Sequence, residues 1–258
     1  MAEAMSSSVQ SVARRIVGVI PARLDSERLP GKVLRPIGGK AMVHVVYERA
    51  KLCPLLAELR VATDSDEVRE YCARNRIPVL MTARSHRSGT ERILEVMQKI
   101  PADVYVNIQG DEPMLTPEHL RLLIEPFLAR AEVQVTTLKT PLAPAEAQNP
   151  NVVKVVTNIR GEALYFSRAP IPYPRNPASG PPFYKHLGLY AYSRAALERY
   201  RELPPTPLEG TERLEQLRFL EHGIAIQVAE TAQDTIGVDT EEDFAAVTKY
   251  FADIPAGR

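Results

Sequence analysis

Five residues of this chain could together handle a phosphorylated anion. Arg23, Arg28 and Lys32 fall within one short stretch, Asp111 in Gln109-Gly110-Asp111-Glu112-Pro113, and Asp239 in Ile236-Gly237-Val238-Asp239-Thr240. Arginine presents a planar fork and lysine a compact charge, so three roughly periodic cations can hold a triphosphate. Arg35 and Lys40 extend the basic stretch, and Gly31, Gly38 and Gly39 make it rich in turns. Two carboxylates suit Mg²⁺, which is often held by one or two of them plus substrate phosphates. Such a set would support metal-assisted phosphoryl or nucleotidyl transfer. Each part also has a plainer reading. The basic stretch can be a solvated loop, Asp111 a turn residue bonding its own backbone, and Asp239 a helix cap, with Thr240 and Asp243 as a capping box. Sequence separation alone leaves open whether the two carboxylates meet.

Three further groups carry chemistry. His86-Arg87-Ser88-Gly89-Thr90-Glu91-Arg92 opens a helix, where free N–H groups and hydroxyls could meet an anion or a base edge, or simply form a capping turn. Lys154, Arg168, Lys185, His186 and Tyr190 form a polar set suited to an acidic, hydroxylated small molecule, or only to water. Glu215 and Gln216 sit beside the apolar face of Leu214, Leu217 and Leu220. A Gly-x-Ser-x-Gly elbow, a Walker A pattern and a zinc-ligand cluster are all missing, so acyl transfer, P-loop hydrolysis and zinc chemistry lack support.

The elements that must position these residues alternate. Strands are expected at Arg15–Ile20, Glu58–Thr63, Pro78–Met81 and Asp103–Ile108, and helices at Ala41–Leu52, Glu67–Asn75 and Thr90–Lys99. That order reads as βαβ units and a largely parallel sheet, and the basic loop then falls at the carboxyl end of the first strand, where open α/β sheets bind phosphorylated ligands. The second half changes character. Val133–Lys139, Val152–Thr157, Ala163–Phe166 and Leu187–Ser193 read as strands with few helices between them, a β-rich excursion over about 133–193. Pro170–Pro182 carries six prolines and reads as a loop. A helix over Leu208–Glu221, a strand over Ile224–Glu230 and a helix over Glu241–Phe251 close the chain. The expectation is a flexible extension at 1–14 and a single α/β domain over 15–252.

With 258 residues, 25% charged and 45% hydrophobic, the composition is that of an ordinary soluble globular protein with a substantial core. The formal net charge is zero, which argues against a general nucleic-acid footprint and makes any anion site local. No apolar run approaches a membrane span, and the first 15 residues lack the apolar core of a secretory signal, so the cytoplasm is the expected location. Cys53 and Cys72 are expected to be buried thiols rather than a disulfide or a metal site.

At these residues the chain resembles the 3-deoxy-manno-octulosonate (Kdo) cytidylyltransferases, or CMP-Kdo synthetases. The resemblance runs from about Ile16 to Val247. It is carried in order by Ile20-Pro21-Ala22-Arg23, Arg28-Leu29-Pro30-Gly31-Lys32, the His86–Arg92 and Asn107–Pro113 motifs, Asn149–Lys154, Ala163–Arg168, Lys185–Tyr190, Pro207-Leu208-Glu209, Leu214–Arg218 and Gly237–Thr240. It implies a nucleotide-diphospho-sugar transferase-like, Rossmann-like mixed sheet, mostly parallel, and a cytoplasmic homodimer. It also implies Mg²⁺-dependent conversion of CTP and Kdo to CMP-Kdo and pyrophosphate, for lipopolysaccharide synthesis. By position, Arg23, Arg28 and Lys32 would hold the triphosphate, with Ala22, Ser88 and Gly89 lining the nucleotide and Asp111 and Asp239 on the metal. Arg92, Gln109, Arg168, His186, Tyr190, Glu215 and Gln216 would form the sugar-acid side. The resemblance puts Arg23, Lys32 and Asp111 at the chemistry itself. Two departures stand out: Glu27, an acid among the phosphate-binding cations, and the wording of the Pro170–Pro182 loop. Other acceptors, an N-acylneuraminate or amino-Kdo, remain alternatives, as does a nucleotide-binding module without turnover.

Overall fold

The apolar run Ile16–Pro21 forms β1, and its side chains alternate between two buried faces, as strand geometry demands. Ile16 and Ile20 enter one core and Val17 and Val19 the other. The computed structural model describes residues 14–26, 28–86, 88–176 and 183–253. The expected extension before residue 14, Glu27, Arg87 and the end of the proline-rich loop lie outside the described residues.

After β1 the basic loop turns through Gly31, at φ +67°, into a short 3₁₀ turn and the small hairpin of β2 (Pro36–Ile37) and β3 (Lys40–Ala41). Then follow α1 (Met42–Lys51), β4 (Glu58–Thr63), α2 (Asp66–Arg74), β5 (Val79–Met81), α3 (Gly89–Lys99) and β6 (Val104–Asn107). Ser65 caps α2 and Ser88 caps α3 through their side chains. A further helix, α4 (Pro117–Ala129), precedes β7 (Val135–Leu142), β8 (Lys154–Thr157), β9 (Ala163–Ser167) and β10 (Phe183–Ser193). The chain ends in α5 (Arg194–Glu202), α6 (Pro207–Glu212), α7 (Gln216–Glu221), β11 (Ile226–Glu230) and α8 (Glu241–Asp253).

Seven strands lie in the order β11-β7-β10-β6-β1-β4-β5, and β10 alone runs against the other six. β8 and β9 join as an antiparallel pair beside β10, which is the expected β-rich excursion. α1 and α4 cover one face of the sheet through Val43, Val46, Leu120, Leu123 and Phe127. α3, α5 and α7 cover the other through Ile93, Val96, Leu197, Leu217 and Phe219. β4 and β6 leave β1 in opposite directions, so a crevice opens at the carboxyl ends of β1 and β6.

Three details depart from the sequence reading. α4 and α5 flank the β-rich excursion where the sequence reading named no element; Thr116 with Pro117 at the first helical position starts α4, and Ser193 caps α5. The expected helix over Leu208–Glu221 is two helices, because Arg213 adopts φ +53° and ends α6. β10 starts at Phe183, four residues earlier than its apolar pattern suggests, because Lys185 pairs with Lys154 and Thr140. Cys53 and Cys72 are free and buried as expected, and burial pushes both thiols up. Among the described residues no helix is long and apolar enough to cross a membrane.

Candidate active site

A third apolar cluster explains how the first and last motifs meet. Leu29 and Ile37 from the basic loop pack with Met42, Val45, Val238 and Val247, with Phe244 and Phe251 of α8 beside them. Arg35 lies over the Phe244 ring at 3.9 Å and pairs with Glu241 at 2.6 Å. Residues 28–37 are therefore closed against the start of α8, and Asp239 is brought to a lysine 207 positions away in sequence.

That lysine is Lys32. Its buried ammonium stands 2.5 Å from Asp111 Oδ2, 2.8 Å from Asp239 Oδ1 and 2.9 Å from the Val238 carbonyl. Burial alone would lower its pKa, but the Asp111 charge and the bonds to both carboxylates raise it overall. Arg28 reaches the other oxygen of Asp239 at 2.8 Å. The two carboxylates thus converge on one cation at the mouth of the crevice.

The plainer readings of both aspartates fail here. The cap of α8 is supplied by Thr240 and Asp243: the Asp243 carboxylate accepts from the backbone N–H groups of Asp239 and Thr240, and Thr240 Oγ1 accepts from Asp243 N–H. The Asp239 side chain is left for Lys32 and Arg28. Asp111 spends its carboxylate on Lys32, while its carbonyl accepts from Val238 N–H at 2.9 Å. Two glycines permit this approach. A side chain at Gly110 would meet the Pro21 carbonyl at 2.7 Å, and one at Gly237 would come within 3.1 Å of Glu112 Oε1.

A cavity of about 970 Å³ extends from this cluster. Of the expected site residues, Arg28, Gly89, Gln109, Arg168, His186, Tyr190, Glu215, Gln216 and Asp239 line it. Lys32 and Asp111 touch that wall through Asp239 and each other. Glu215 Oε1 and Gln216 Nε2 are buried there with no hydrogen-bond partner, so that end is built for a polar ligand. An aromatic ladder of Phe166, His186, Tyr190, Tyr192 and Phe219 supports it, with successive ring centroids 4.9–5.8 Å apart. Burial pushes the His186 imidazole down to about 3, Lys185 adding to the effect, so the ring is neutral.

Besides Lys32 and Asp111, four expected residues do not line the cavity. Arg92 is fully buried, its guanidinium bonding Asp64 at 3.0 Å and the Thr82 hydroxyl while its Nε has no partner, and it lies behind the cavity wall. The Ser88 hydroxyl accepts from Glu91 N–H as the cap of α3. Ala22 is buried, with its N–H on the Ala62 carbonyl. Arg23 is half-buried; burial first, then Arg92, lower its pKa against the opposing charges of Asp64, Glu91 and Asp25. Arg168 faces the cavity but is partly committed, donating to the carbonyls of Glu212 at 2.9 Å and Pro150 at 3.0 Å.

The sequence reading missed others. Asn107 lines the cavity from inside a strand otherwise apolar on both faces, a signal available in the sequence. Lys154, expected in the polar set with Arg168 and His186, is instead fully buried, donating to the carbonyls of Asn149 at 3.0 Å, Val152 at 2.6 Å and Arg168 at 2.6 Å, and so shapes the cavity lip from behind. Glu112 is buried beneath Gly237, and burial followed by the Asp111 charge pushes its carboxyl up to about 7.

Comparison with known proteins fits this geometry. The cytidylyltransferase family pattern matches residues 17–228. A 3-deoxy-manno-octulosonate cytidylyltransferase from Acidobacterium capsulatum is 55% identical over 232 residues, 90% of this chain and 94% of that one. The Escherichia coli protein of the same name is 47% identical over 226 residues, 88% of this chain and 92% of that one. A solved CMP:2-keto-3-deoxy-manno-octonic acid synthetase complexed with CTP is 46% identical, with a TM-score of 0.89 over 92% of this chain and 98% of its own. A cytidylyltransferase from Leptospira borgpetersenii, 18% identical with a TM-score of 0.66 over 94% of this chain and 89% of its own, shares the fold alone. With a nucleotide-diphospho-sugar transferase fold and this degree of identity along nearly its whole length, the chain belongs to the 3-deoxy-manno-octulosonate cytidylyltransferase family.

Proposed function

We propose that this chain transfers the cytidylyl group of CTP to Kdo, giving CMP-Kdo and pyrophosphate for lipopolysaccharide synthesis. The observation that carries the reading is the Lys32 ammonium held between Asp111 and Asp239 at the mouth of a polar cavity. Both substrates are anions and repel each other. Arg28 and Lys32 supply the local positive charge that a chain of zero net charge must concentrate at its site. The far end of the cavity, with Gln109, Arg168, His186, Tyr190, Glu215 and Gln216, offers both donors and acceptors to a hydroxylated acid.

The residues fit Mg²⁺. Asp111 and Asp239 are hard oxygen donors already drawn together around a cation, and one or two carboxylates completed by substrate phosphates is a usual Mg²⁺ set. When bound by these two residues and the triphosphate, Mg²⁺ supplies Lewis-acid polarisation of the phosphate undergoing attack. The chain's own work is to hold and align. Arg28 and Lys32 take the triphosphate and stabilise charge on departing pyrophosphate. The aromatic and polar wall turns the sugar hydroxyl toward the α-phosphate for in-line attack. Orientation of this kind can lower a barrier by roughly 7–11 kcal/mol. No side-chain nucleophile enters this scheme. A cytoplasmic homodimer is the proposed setting.

Pyrophosphate release from CTP tests this, with Kdo, an N-acylneuraminate or a sugar 1-phosphate as acceptor, each with and without Mg²⁺. Mg²⁺-dependent release with Kdo is the expected result. Release with neuraminate alone would move the acceptor assignment, and no release with any sugar acid would overturn the enzyme reading.

A further inference from the structure

The register of β10 against β7 shifts between Leu187 and Tyr190, leaving Gly188 and Leu189 without residues opposite. Thr137, fully buried on β7, fills this bulge with its hydroxyl. That oxygen lies 2.8 Å from the Leu189 carbonyl, 3.2 Å from the Leu187 carbonyl and 3.0 Å from His186 Nε2. A threonine hydroxyl has one proton to give and two lone pairs. The two carbonyls can only accept. If the proton pointed at His186 instead, two buried oxygens would face each other at 2.8 Å with no proton between them. The proton therefore goes to Leu189, and the hydroxyl oxygen accepts from His186 Nε2–H. The buried Tyr190 phenol stays protonated beside Thr137 and can donate or accept, but giving it the Thr137 proton would again leave two buried oxygens facing each other at 2.8 Å with no proton between them.

The His186 ring is fixed by Phe166 and Tyr190, with centroids 4.9 and 5.4 Å away, and its backbone N–H is tied to Val153 at 2.8 Å. His186 lines the cavity, and among the described residues its Nδ1 makes no hydrogen bond. A neutral imidazole protonated at Nε2 carries a lone pair at Nδ1.

We infer that Thr137 is a positioning residue that locks His186 in its Nε2–H form, so that Nδ1 meets the acceptor sugar as a hydrogen-bond acceptor for a hydroxyl rather than a donor to its carboxylate. This rests on the reading that the cavity takes a sugar acid. It assigns a specificity role to a buried residue that touches no substrate.

The test starts with the full chain, ¹⁵N-labelled at its five histidines and free of substrate. Two-bond ¹H–¹⁵N correlation, with His186 identified by its loss in His186→Gln, should show the Nε2–H form; an Nδ1–H form overturns the inference. Thr137→Val should abolish the tautomer preference and raise the KM for Kdo about tenfold, the worth of one hydrogen bond, with the KM for CTP unchanged. Thr137→Ser should restore both. An unchanged Kdo KM in Thr137→Val, or equal losses in the Val and Ser variants, overturns the positioning role. The wild-type spectrum needs no variant to fold. If no sugar acid is turned over, an Nε2–H signal keeps the role of Thr137 and removes only the sugar-acid reading, whereas an Nδ1–H signal removes the role itself.

Discussion

Replacing Lys32 by methionine keeps the apolar stem and removes the charge on which the site converges. In the structure one nitrogen touches Asp111 Oδ2 at 2.5 Å and Asp239 Oδ1 at 2.8 Å, so the two oxygens lie within about 5 Å of each other. Two unit charges that far apart repel by roughly 3 kcal/mol at an effective dielectric near 20. The Asp239 side chain is 40% exposed and keeps Arg28 at 2.8 Å, and water with that partner reduces the cost to about 1–2 kcal/mol. For a chain of this size each kcal/mol shifts Tm by about 2–4 °C, so Lys32→Met should melt about 2–8 °C lower without metal. Added Mg²⁺ replaces the missing positive charge, and should recover more Tm in the variant than it adds to the wild type. The lost phosphate contact should raise the KM for CTP about tenfold or more. Thermal melts with and without Mg²⁺, together with initial rates over a CTP series, measure all three effects. An unchanged melt with an unchanged CTP dependence would reduce Lys32 to a solvated loop cation. A raised Kdo KM at constant CTP KM would put the lysine on the wrong substrate.

Glu95 offers a pH test. Burial alone would raise its pKa, but bonds from Lys99, Ala83 N–H and His86 hold it down at about 2 against an ordinary 4.5. Its stabilising contribution is complete above pH 4.5 and is lost as pH falls through about 2, so the Tm deficit of Glu95→Gln should be full at pH 6 and shrink across that window. A deficit constant down to pH 2 would contradict the ion-pair assignment. Lys154→Met strands three carbonyls at the cavity lip, each costing about 1–3 kcal/mol if left unpaired, and should lower Tm while raising the Kdo KM more than it lowers kcat. Equal effects on the KM values of both substrates would mean that the lip does not belong to the sugar side.

Much of this site was legible in the chain because its chemistry is local. The basic loop after β1, the Gln109–Pro113 turn after β6 and the Gly237–Thr240 turn before α8 each sit at a predictable strand end or helix start. What periodicity could not carry was convergence. Asp239 reaches Lys32 because Leu29 and Ile37 pack with Val238 and Val247, a contact between the two ends of the chain. Side-chain direction was a second gap: Arg92 occupies the site motif, but its guanidinium turns inward to Asp64. α4 was missed although Thr116 and Pro117 mark its start, and Arg213 breaks the expected helix by a left-handed turn that no glycine announces. Thr137 lies on an expected strand like any other threonine, and only the bulge in its neighbour gives its hydroxyl work.

The central claim is that Asp111 and Asp239 act as one unit on one bound metal and triphosphate. A double-mutant cycle in kcat/KM with Asp111→Asn, Asp239→Asn and the pair tests it most directly. Each single variant should stay folded and lose most of its turnover, and the double variant should lose no more than the worse single one. Losses that multiply, or full activity of Asp111→Asn at low Mg²⁺, would contradict it.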